Sequence, residues 1–253
     1  ISGLTPLHFA VLAGHPAAAA ALLDGGAEVD ARAATGNTPL HFAAFRQDAE
    51  TARVLLAQGA DADEENRMEM TPLFEAASNG DADMVRMLLE AGARAGHTAV
   101  MGVTPLHYAA GQGRLEAVRL LVEHGARPIA QAGLRRSTPV HWAMAGRSEA
   151  HDAVAALLIE KGAGPSLRDL GGMTALHVAA RQGHAQSARA ILAGRAPVNA
   201  RDRQGRTPLE LALAEGHVKI VGLLLENGAL ANARLSNDAM PLHMAAAKGD
   251  AAL

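Results

Sequence analysis

A tetrapeptide that recurs at a nearly constant interval is the feature that most restricts how this chain can fold. Thr-Pro-Leu-His, or a close variant of it, begins at residues 5, 38, 71, 104, 138, 174, 207 and 240. Successive copies are 33, 33, 33, 34, 36, 33 and 33 residues apart. A unit of this length buries too little apolar surface to fold alone, so neighbouring units must stack against each other. The spacing therefore predicts a repeat array in place of a single globular core.

The residues around each tetrapeptide predict a pair of helices. Thr is a favoured N-cap and Pro is favoured at the first helical position, so the tetrapeptide marks a helix start. In the fourth repeat, Leu106, Ala109 and Ala110 form one small apolar face, and Gly113 ends the helix. A second helix is expected over residues 116–122, with a stop at Gly125. A short stretch rich in turn residues then leads to the next tetrapeptide.

The eight in-phase copies of Thr-Pro-Leu-His-x-Ala resemble the ankyrin repeat, and the resemblance covers essentially the whole chain. It implies an all-α solenoid of stacked helix-turn-helix units with projecting β-hairpin-like fingers. Residues 1–253 are expected to form a single array whose first and last repeats are incomplete, so sequence is expected to have been lost at both ends. The resemblance also implies that partners bind a concave face made by the finger tips and first helices.

Composition narrows the function. The chain has no Cys, which excludes disulfides, thiolate metal sites and a cysteine nucleophile. With a formal charge of −3, the chain lacks the positive field of a general nucleic-acid binder. No apolar run approaches the ~20 residues that a membrane-spanning helix needs, so no membrane insertion is expected. The compartment stays open, and the excess of Arg over Lys with abundant Ala suggests a GC-rich, bacterial gene.

The 12 histidines raise the question of a metal or catalytic centre. Those in the tetrapeptide would stand about 10 Å apart, the spacing of packed helices, so one zinc could not collect them. The family resemblance gives them a structural role, which extends to His15, His184 and His217 in Gly-His turns. His97, His124 and His151 are off this pattern and are interpreted as surface contacts. We expect no metal, no cofactor and no enzymatic activity.

Ser148, His151 and Asp152 have the residue types of a hydrolytic triad. Three nearly adjacent residues do not provide the base, orienting group and oxyanion site that such a triad needs. We therefore assign no catalytic residue.

Apolar residues at the finger tips are the main functional signal, because solvated tips are normally polar. Two interpretations remain open: a contiguous apolar strip that binds a partner, or packing between adjacent fingers. The partner-binding candidates, including Arg contacts from later fingers, are Met68, Met70, Val100, Met101, Val103, Leu134, Arg135, Leu170, Met173, Arg203 and Arg206. Phe45 and Trp142, on first helices, are either packing residues or binding anchors. The prediction is a non-enzymatic scaffold, a monomeric array that binds another protein.

Charge is distributed unevenly along the repeats. Acidic residues cluster around the second and third repeats, including Asp61, Asp63, Glu64 and Glu65, whereas later fingers carry Arg135, Arg136, Arg168 and Arg203. A partner of opposite polarity would be oriented by this arrangement. Ordinary solvated charge explains it equally well.

Several positions depart from the repeat. The fifth repeat is three residues longer, so an enlarged loop or an extra turn is expected near residues 145–152, either as a specific contact or as a tolerated insertion. Glu69, Arg136 and Asp238 replace the finger Gly, which puts the tight turn in doubt there. Gly194 lies one place early and Arg195 takes the usual Gly position, so that helix is expected to end differently.

Two other functions remain as alternatives. The array could be the regulatory or targeting region of a larger enzyme whose catalytic domain lies outside this chain. The irregular fifth repeat could instead bind a small molecule.

Overall fold

Each first helix of a repeat begins directly after the threonine of its tetrapeptide. The computed structural model describes residues 3–146 and 148–231, so the eighth tetrapeptide, with Asp238 and His243, lies outside the described residues. The first helices are α1 Pro6–Ala13, α3 Pro39–Arg46, α5 Pro72–Asn79, α7 Pro105–Gly111, α9 Pro139–Ala143, α11 Ala175–Gln182 and α13 Pro208–Glu215. The second helices are α2 Pro16–Asp24, α4 Ala49–Ala57, α6 Ala82–Glu90, α8 Leu115–Glu123, α10 Glu149–Glu160, α12 Ala185–Ala193 and α14 Val218–Glu226.

Local geometry explains these boundaries. Thr38 is extended, with φ −88° and ψ 168°, and Pro39 follows at the first helical position. The helix stop uses the left-handed region, as at Gly183, where φ is 89°. Glycine has no Cβ to clash in that conformation. In the described repeats, first helices thus begin after the tetrapeptide threonine, as the sequence pattern predicts.

The described helices pack in two compact units, and the division between the units falls between Arg127 and Pro128. In the first unit α1, α3, α5 and α7 pack in succession, and α2, α4, α6 and α8 form a second layer. In the second unit α9, α11 and α13 form one layer and α10, α12 and α14 the other. Small and aliphatic side chains fill the space between layers, including the fully buried Leu40, Leu73, Leu106, Leu158 and Leu176. Each unit therefore has the packing of an all-α repeat solenoid, as predicted.

The fingers between repeats are short hairpin-like turns that hydrogen-bond to one another. In the second unit the isolated bridges Ala132–Ser137 and Arg168–Thr174 close two of them. The backbone N–H of Arg67 donates to the Thr35 carbonyl (3.0 Å), and that of Arg203 donates to the Gly171 carbonyl (3.0 Å). A backbone bond between neighbouring tips fixes the register of the side chains that the tips carry.

Five non-glycine residues in the described part of the chain adopt the left-handed conformation, among them Glu69, Arg136 and Arg195, which replace a glycine of the repeat. Glu69 has φ 58° and Arg136 has φ 51°, so the tight turn persists at both finger tips despite the substitution. Arg195 has φ 61°, and its N–H bonds to the Leu192 carbonyl (2.9 Å) as the N–H of Gly59 bonds to Leu56 (3.0 Å). The expectation that this helix ends differently is wrong, because Arg195 accepts the strained conformation.

The insertion in the fifth repeat forms an extra helical turn. α9 has 5 residues, whereas α10 has 12. The second helices of the other described repeats have 9 residues, as in α8. The added residues therefore lengthen α10 at its N-terminus, which confirms one of the two forms expected for the insertion.

Candidate partner-binding surface

Tetrapeptide histidines hold the base of the finger that follows them, as at His41, His141 and His177. The Thr38 backbone N–H donates to His41 Nδ1 (3.2 Å), which leaves Nε2 to donate to the Met70 carbonyl (2.9 Å). His141 reaches the Met173 carbonyl in the same way (3.1 Å), and His177 reaches that of Arg206 (3.1 Å). The implied structural role of these histidines is confirmed at these positions.

Burial keeps these rings neutral. Desolvation lowers the pKa of His41 to about 4, although the hydrogen bond to the Met70 carbonyl opposes this shift. Desolvation likewise lowers the pKa values of His141 and His177. A neutral ring accepts at Nδ1 and donates at Nε2, which is the pattern that this position needs. The finger bases are therefore rigid at neutral pH.

Five of the candidate side chains project from the finger tips into solvent. In the first unit the exposed fractions are 57% for Met68, 39% for Val100 and 52% for Met101. In the second unit they are 82% for Leu134 and 44% for Leu170. The backbone N–H of Val100 donates to the Met68 carbonyl (3.3 Å), so the tips that carry Met68 and Met101 are neighbours. These residues form two apolar tip groups, one in each unit.

Met70, Val103 and Met173 occupy a different position, immediately before the next tetrapeptide. Met70 and Val103 are half-buried, and Met173 is buried, with only 4% of its surface exposed. The Met173 N–H donates to Asp169 Oδ1 (2.9 Å), while its carbonyl accepts from His141. Side chains at this position turn inward because the backbone is fixed on both sides. These three residues thus pack between fingers, whereas the five tip residues are exposed to solvent.

The three candidate arginines also differ in exposure and in pairing. Arg135 and Arg203 are exposed, whereas Arg206 is half-buried and paired with Asp202. Arg206 Nη2 lies 2.8 Å from Asp202 Oδ2, and the Arg206 backbone N–H donates to Oδ1 (2.9 Å). Burial alone would raise the pKa of Asp202, but the bonds from Arg206 outweigh it and lower that pKa. Arg206 therefore braces its own finger.

Aromatic residues on the first helices add to the exposed apolar surface of the first unit. Phe9 is 53% exposed and Phe45 is 60% exposed. Phe42, at the same repeat position as Phe9, packs edge-on against His8 with 5.5 Å between ring centroids. The sequence analysis did not select Phe9, and its exposure is evident only from the structure.

His97 is a buried residue of the third finger and is not a surface contact as predicted. Its Nε2 lies 2.9 Å from the Glu69 carbonyl, and its ring packs edge-on against Phe74 at 6.1 Å. His97 thus adds a second histidine bond to the finger whose Met70 carbonyl already accepts from His41. The aromatic ring of Phe74, which replaces the tetrapeptide histidine, packs against it.

The acidic cluster of the first unit is partly neutralised by arginines within it. Arg32 pairs with Glu64, and Arg94 Nε lies 2.5 Å from Asp63 Oδ2. Asp30 accepts the Asp61 backbone N–H (3.1 Å), and burial raises the pKa of Asp30. Much of this charge belongs to contacts between fingers.

The fifth repeat places its polar residues in a helix interface. Ser148 Oγ lies 2.7 Å from His151 Nδ1. Asp152 accepts a hydrogen bond from Ser187 and lies 3.4 Å from His184 Nδ1. An open groove of about 690 Å³ runs beside α10, and its charged lining residues are Glu149, Asp152, Arg189, Lys219 and Glu226. Binding of a small molecule at this repeat stays a prediction.

The described residues provide neither a metal-ligand cluster nor a membrane-spanning helix. No three His, Asp or Glu side chains within residues 3–146 and 148–231 converge as metal ligands. No helix in the same part of the chain combines the length and apolar character needed to cross a bilayer.

Comparisons with known proteins agree with this geometry. A family model described as ankyrin repeats (3 copies) matches residues 2–66, 47–132, 73–169 and 140–234. The crystal structure of the human ASB11 ankyrin repeat domain is similar to 90% of this chain and 99% of that chain, with a TM-score of 0.77 and 27% sequence identity. No curated protein matches the sequence.

Proposed function

This chain belongs to the ankyrin repeat family, and from that premise we propose that it is a non-enzymatic module that binds one partner protein across its finger tips and first helices. Ankyrin repeats generally serve as protein–protein interaction modules and are typically not catalytic.

The observation that carries the proposal is the exposure of apolar side chains on a rigid base. Met68, Val100 and Met101 project from adjacent fingers, whose backbones are hydrogen-bonded to each other. Apolar surface held in water is unfavourable, and contiguous patches of it commonly mark interfaces. Met side chains also adapt their shape to a partner at little cost. The rigid backbone lowers the entropy lost on binding.

Packing between fingers does not account for this patch. Met70 and Met173 pack inward, because hydrogen bonds hold the backbone on both sides of the residue that precedes each tetrapeptide. Met68 and Met101 are each more than half exposed. Because these two side chains are exposed, an external partner would be needed to bury them.

A paired substitution tests the proposal. In Met68→Asp with Met101→Asp, two exposed apolar contacts become charges, so the amount of partner retained on immobilised protein should fall at least about tenfold. The control is Ala18→Asp with Ala21→Asp, which adds the same charge at two exposed positions of α2 in the same unit. A protein retained equally by wild type, the tip variant and the control would rule out the tip surface.

A further inference from the structure

A cleft lined by arginines lies among the fingers of the second unit. It has a volume of about 190 Å³ and is lined by Gln131, Arg136, Arg168, Asp169, Leu170 and Arg203. Three guanidinium groups against one carboxylate give this lining an excess of two positive charges. The backbone bond from Arg203 N to the Gly171 carbonyl (3.0 Å) brings two of these fingers together.

Arg168 is held in place without being neutralised. Arg168 Nη1 donates to the backbone carbonyls of Gly172 (2.8 Å) and Arg201 (2.5 Å), which fix the side chain but carry no charge. Within residues 128–231 apart from residue 147, no ion pair engages Arg136, Arg168 or Arg203, whereas Arg206 is paired with Asp202. The arginines that line the cleft are therefore available to an anion.

The one carboxylate in the lining accepts a hydrogen bond from its own finger. Asp169 is buried, and its Oδ1 accepts the backbone N–H of Met173 (2.9 Å). An Asp or Asn at the equivalent place performs the same task in other fingers: Asp202 Oδ1 accepts from Arg206 N (2.9 Å) and Asn66 Oδ1 from Met70 N (3.1 Å). Asp169 thus stabilises the turn of its finger, and the cleft stays electropositive.

We propose that this cleft binds a phosphate monoester on a side chain of the partner protein. The proposal rests on the proposed function and specifies the chemistry of the partner. A phosphorylated side chain carries close to two negative charges and three strong acceptor oxygens. Several forked guanidinium groups match that geometry and charge, whereas a single carboxylate would satisfy fewer donors.

The surroundings favour a phosphorylated protein segment over a nucleic acid. Leu134 and Leu170 are exposed, Leu170 lines the cleft, and its N–H donates to the Arg135 carbonyl (2.5 Å). These side chains can contact an apolar residue beside the phosphorylated one. The net charge of −3 and the 2% aromatic content provide neither the extended positive track nor the stacking platforms that single strands use.

Binding of a small phosphorylated probe to the full chain tests the site itself. The probe is N-acetyl-phosphoserine amide, compared with N-acetyl-aspartate amide, and binding is followed through the arginine Nε–H signals in NMR spectra. We expect the signals of Arg136, Arg168 and Arg203 to shift with the phosphorylated probe, and its dissociation constant to rise about tenfold or more in Arg203→Ala. Arg53→Ala removes an exposed arginine from α4 and should leave binding unchanged.

Arg168→Lys provides a second variant that keeps the charge. Lysine cannot donate from a planar fork, so a loss of affinity in this variant supports recognition of phosphate geometry beyond attraction between charges. Equal binding of the two probes, or equal loss in Arg53→Ala, would overturn the proposal. Binding of a single-stranded oligonucleotide more tightly than the phosphorylated probe, with loss in Arg203→Ala, would also overturn it.

Phosphatase treatment of a retained partner distinguishes binding of a phosphate group in the cleft from binding of the protein through the finger tips. A partner that is retained before and after treatment, and is lost in the Met68 and Met101 variant, would uphold protein binding and refute the phosphate site. Phosphorylated-probe binding that depends on Arg203, in a chain that retains no protein, would uphold the phosphate chemistry of the cleft and refute the module's proposed function. Retention that treatment abolishes supports both.

Discussion

The hydroxyl of Thr71 is buried without a hydrogen-bond partner because Phe74 stands where the equivalent helix α3 has a histidine. In α3 the Thr38 hydroxyl lies 2.9 Å from His41 Nδ1. Phe74 instead packs its ring against Tyr108 at 5.9 Å. The third repeat has therefore exchanged a polar contact for aromatic packing and has kept an unsatisfied hydroxyl.

Thr71→Val is expected to leave the free energy of unfolding unchanged or to raise it by up to about 1 kcal/mol, because it removes a buried polar atom that has no partner. Thr38→Val removes the partner of His41 and should lower the free energy by about 1–2 kcal/mol. Urea unfolding of the two variants beside wild type measures both changes. Equal losses in the two variants would show that Thr71 is hydrogen-bonded in solution.

Stability should fall as the pH is lowered below neutrality. The pKa of His41 is about 4 in the folded chain against 6.5 for the free side chain, so the unfolded chain binds more protons between these values. Stability contributed by the neutral ring is therefore complete above pH 6.5 and is lost as the pH falls towards 4. For His41 alone the loss at pH 4 is on the order of 3 kcal/mol.

His41→Gln is the variant that isolates this effect. Glutamine does not titrate, so the variant should be less stable at pH 7 but should show a shallower dependence of unfolding free energy on pH. Denaturant unfolding between pH 7.5 and 4.5 measures the two slopes. Parallel slopes would mean that His41 does not titrate in this range on unfolding.

Arg195→Gly should raise the free energy of unfolding by up to about 1 kcal/mol. A left-handed conformation costs a non-glycine residue about 1–2 kcal/mol, and part of the gain is offset by the greater entropy of glycine in the unfolded chain. Gly36→Ala is the opposite case, because its Cβ would lie 2.7 Å from the Arg67 backbone nitrogen and it must also keep φ +82°. Thermal unfolding should rank the glycine variant above wild type and the alanine variant below it.

Met173 and Leu170 should respond differently to the same substitution. Met173→Asp buries an unpaired carboxylate in the second unit and should cost several kcal/mol of unfolding free energy. Leu170→Asp changes an exposed finger tip and should stay within about 0.5 kcal/mol of wild type. Circular dichroism during urea unfolding measures both. Comparable losses would mean that the Leu170 tip is packed rather than exposed.

The repeat spacing and its capping residues were sufficient to predict the pairs of helices, because these depend on local signals that recur along the chain. The role of the tetrapeptide histidines was implied by the family resemblance. The length of the fifth repeat predicted either an enlarged loop or an extra turn, and the structure has the turn. The direction of each finger side chain was not predictable from composition, since Met68 and Met70 are the same residue type on opposite sides of a turn. Arg195 was misjudged because the surrounding structure imposes on it the backbone conformation of glycine. His97 was misjudged because its ring bonds to the Glu69 carbonyl of the preceding finger and packs against Phe74.

Labelled methionine methyl groups provide the most direct measurement of where a partner binds. We expect a retained partner protein to shift the NMR signals of the Met68 and Met101 methyls and to leave those of Met84 and Met144, which are fully buried, unchanged. Met87 is half-buried on the second helix α6 and provides an internal comparison. A shift of Met87, with Met68 and Met101 unaffected, would place the partner on the second helices and contradict the proposed finger-tip surface.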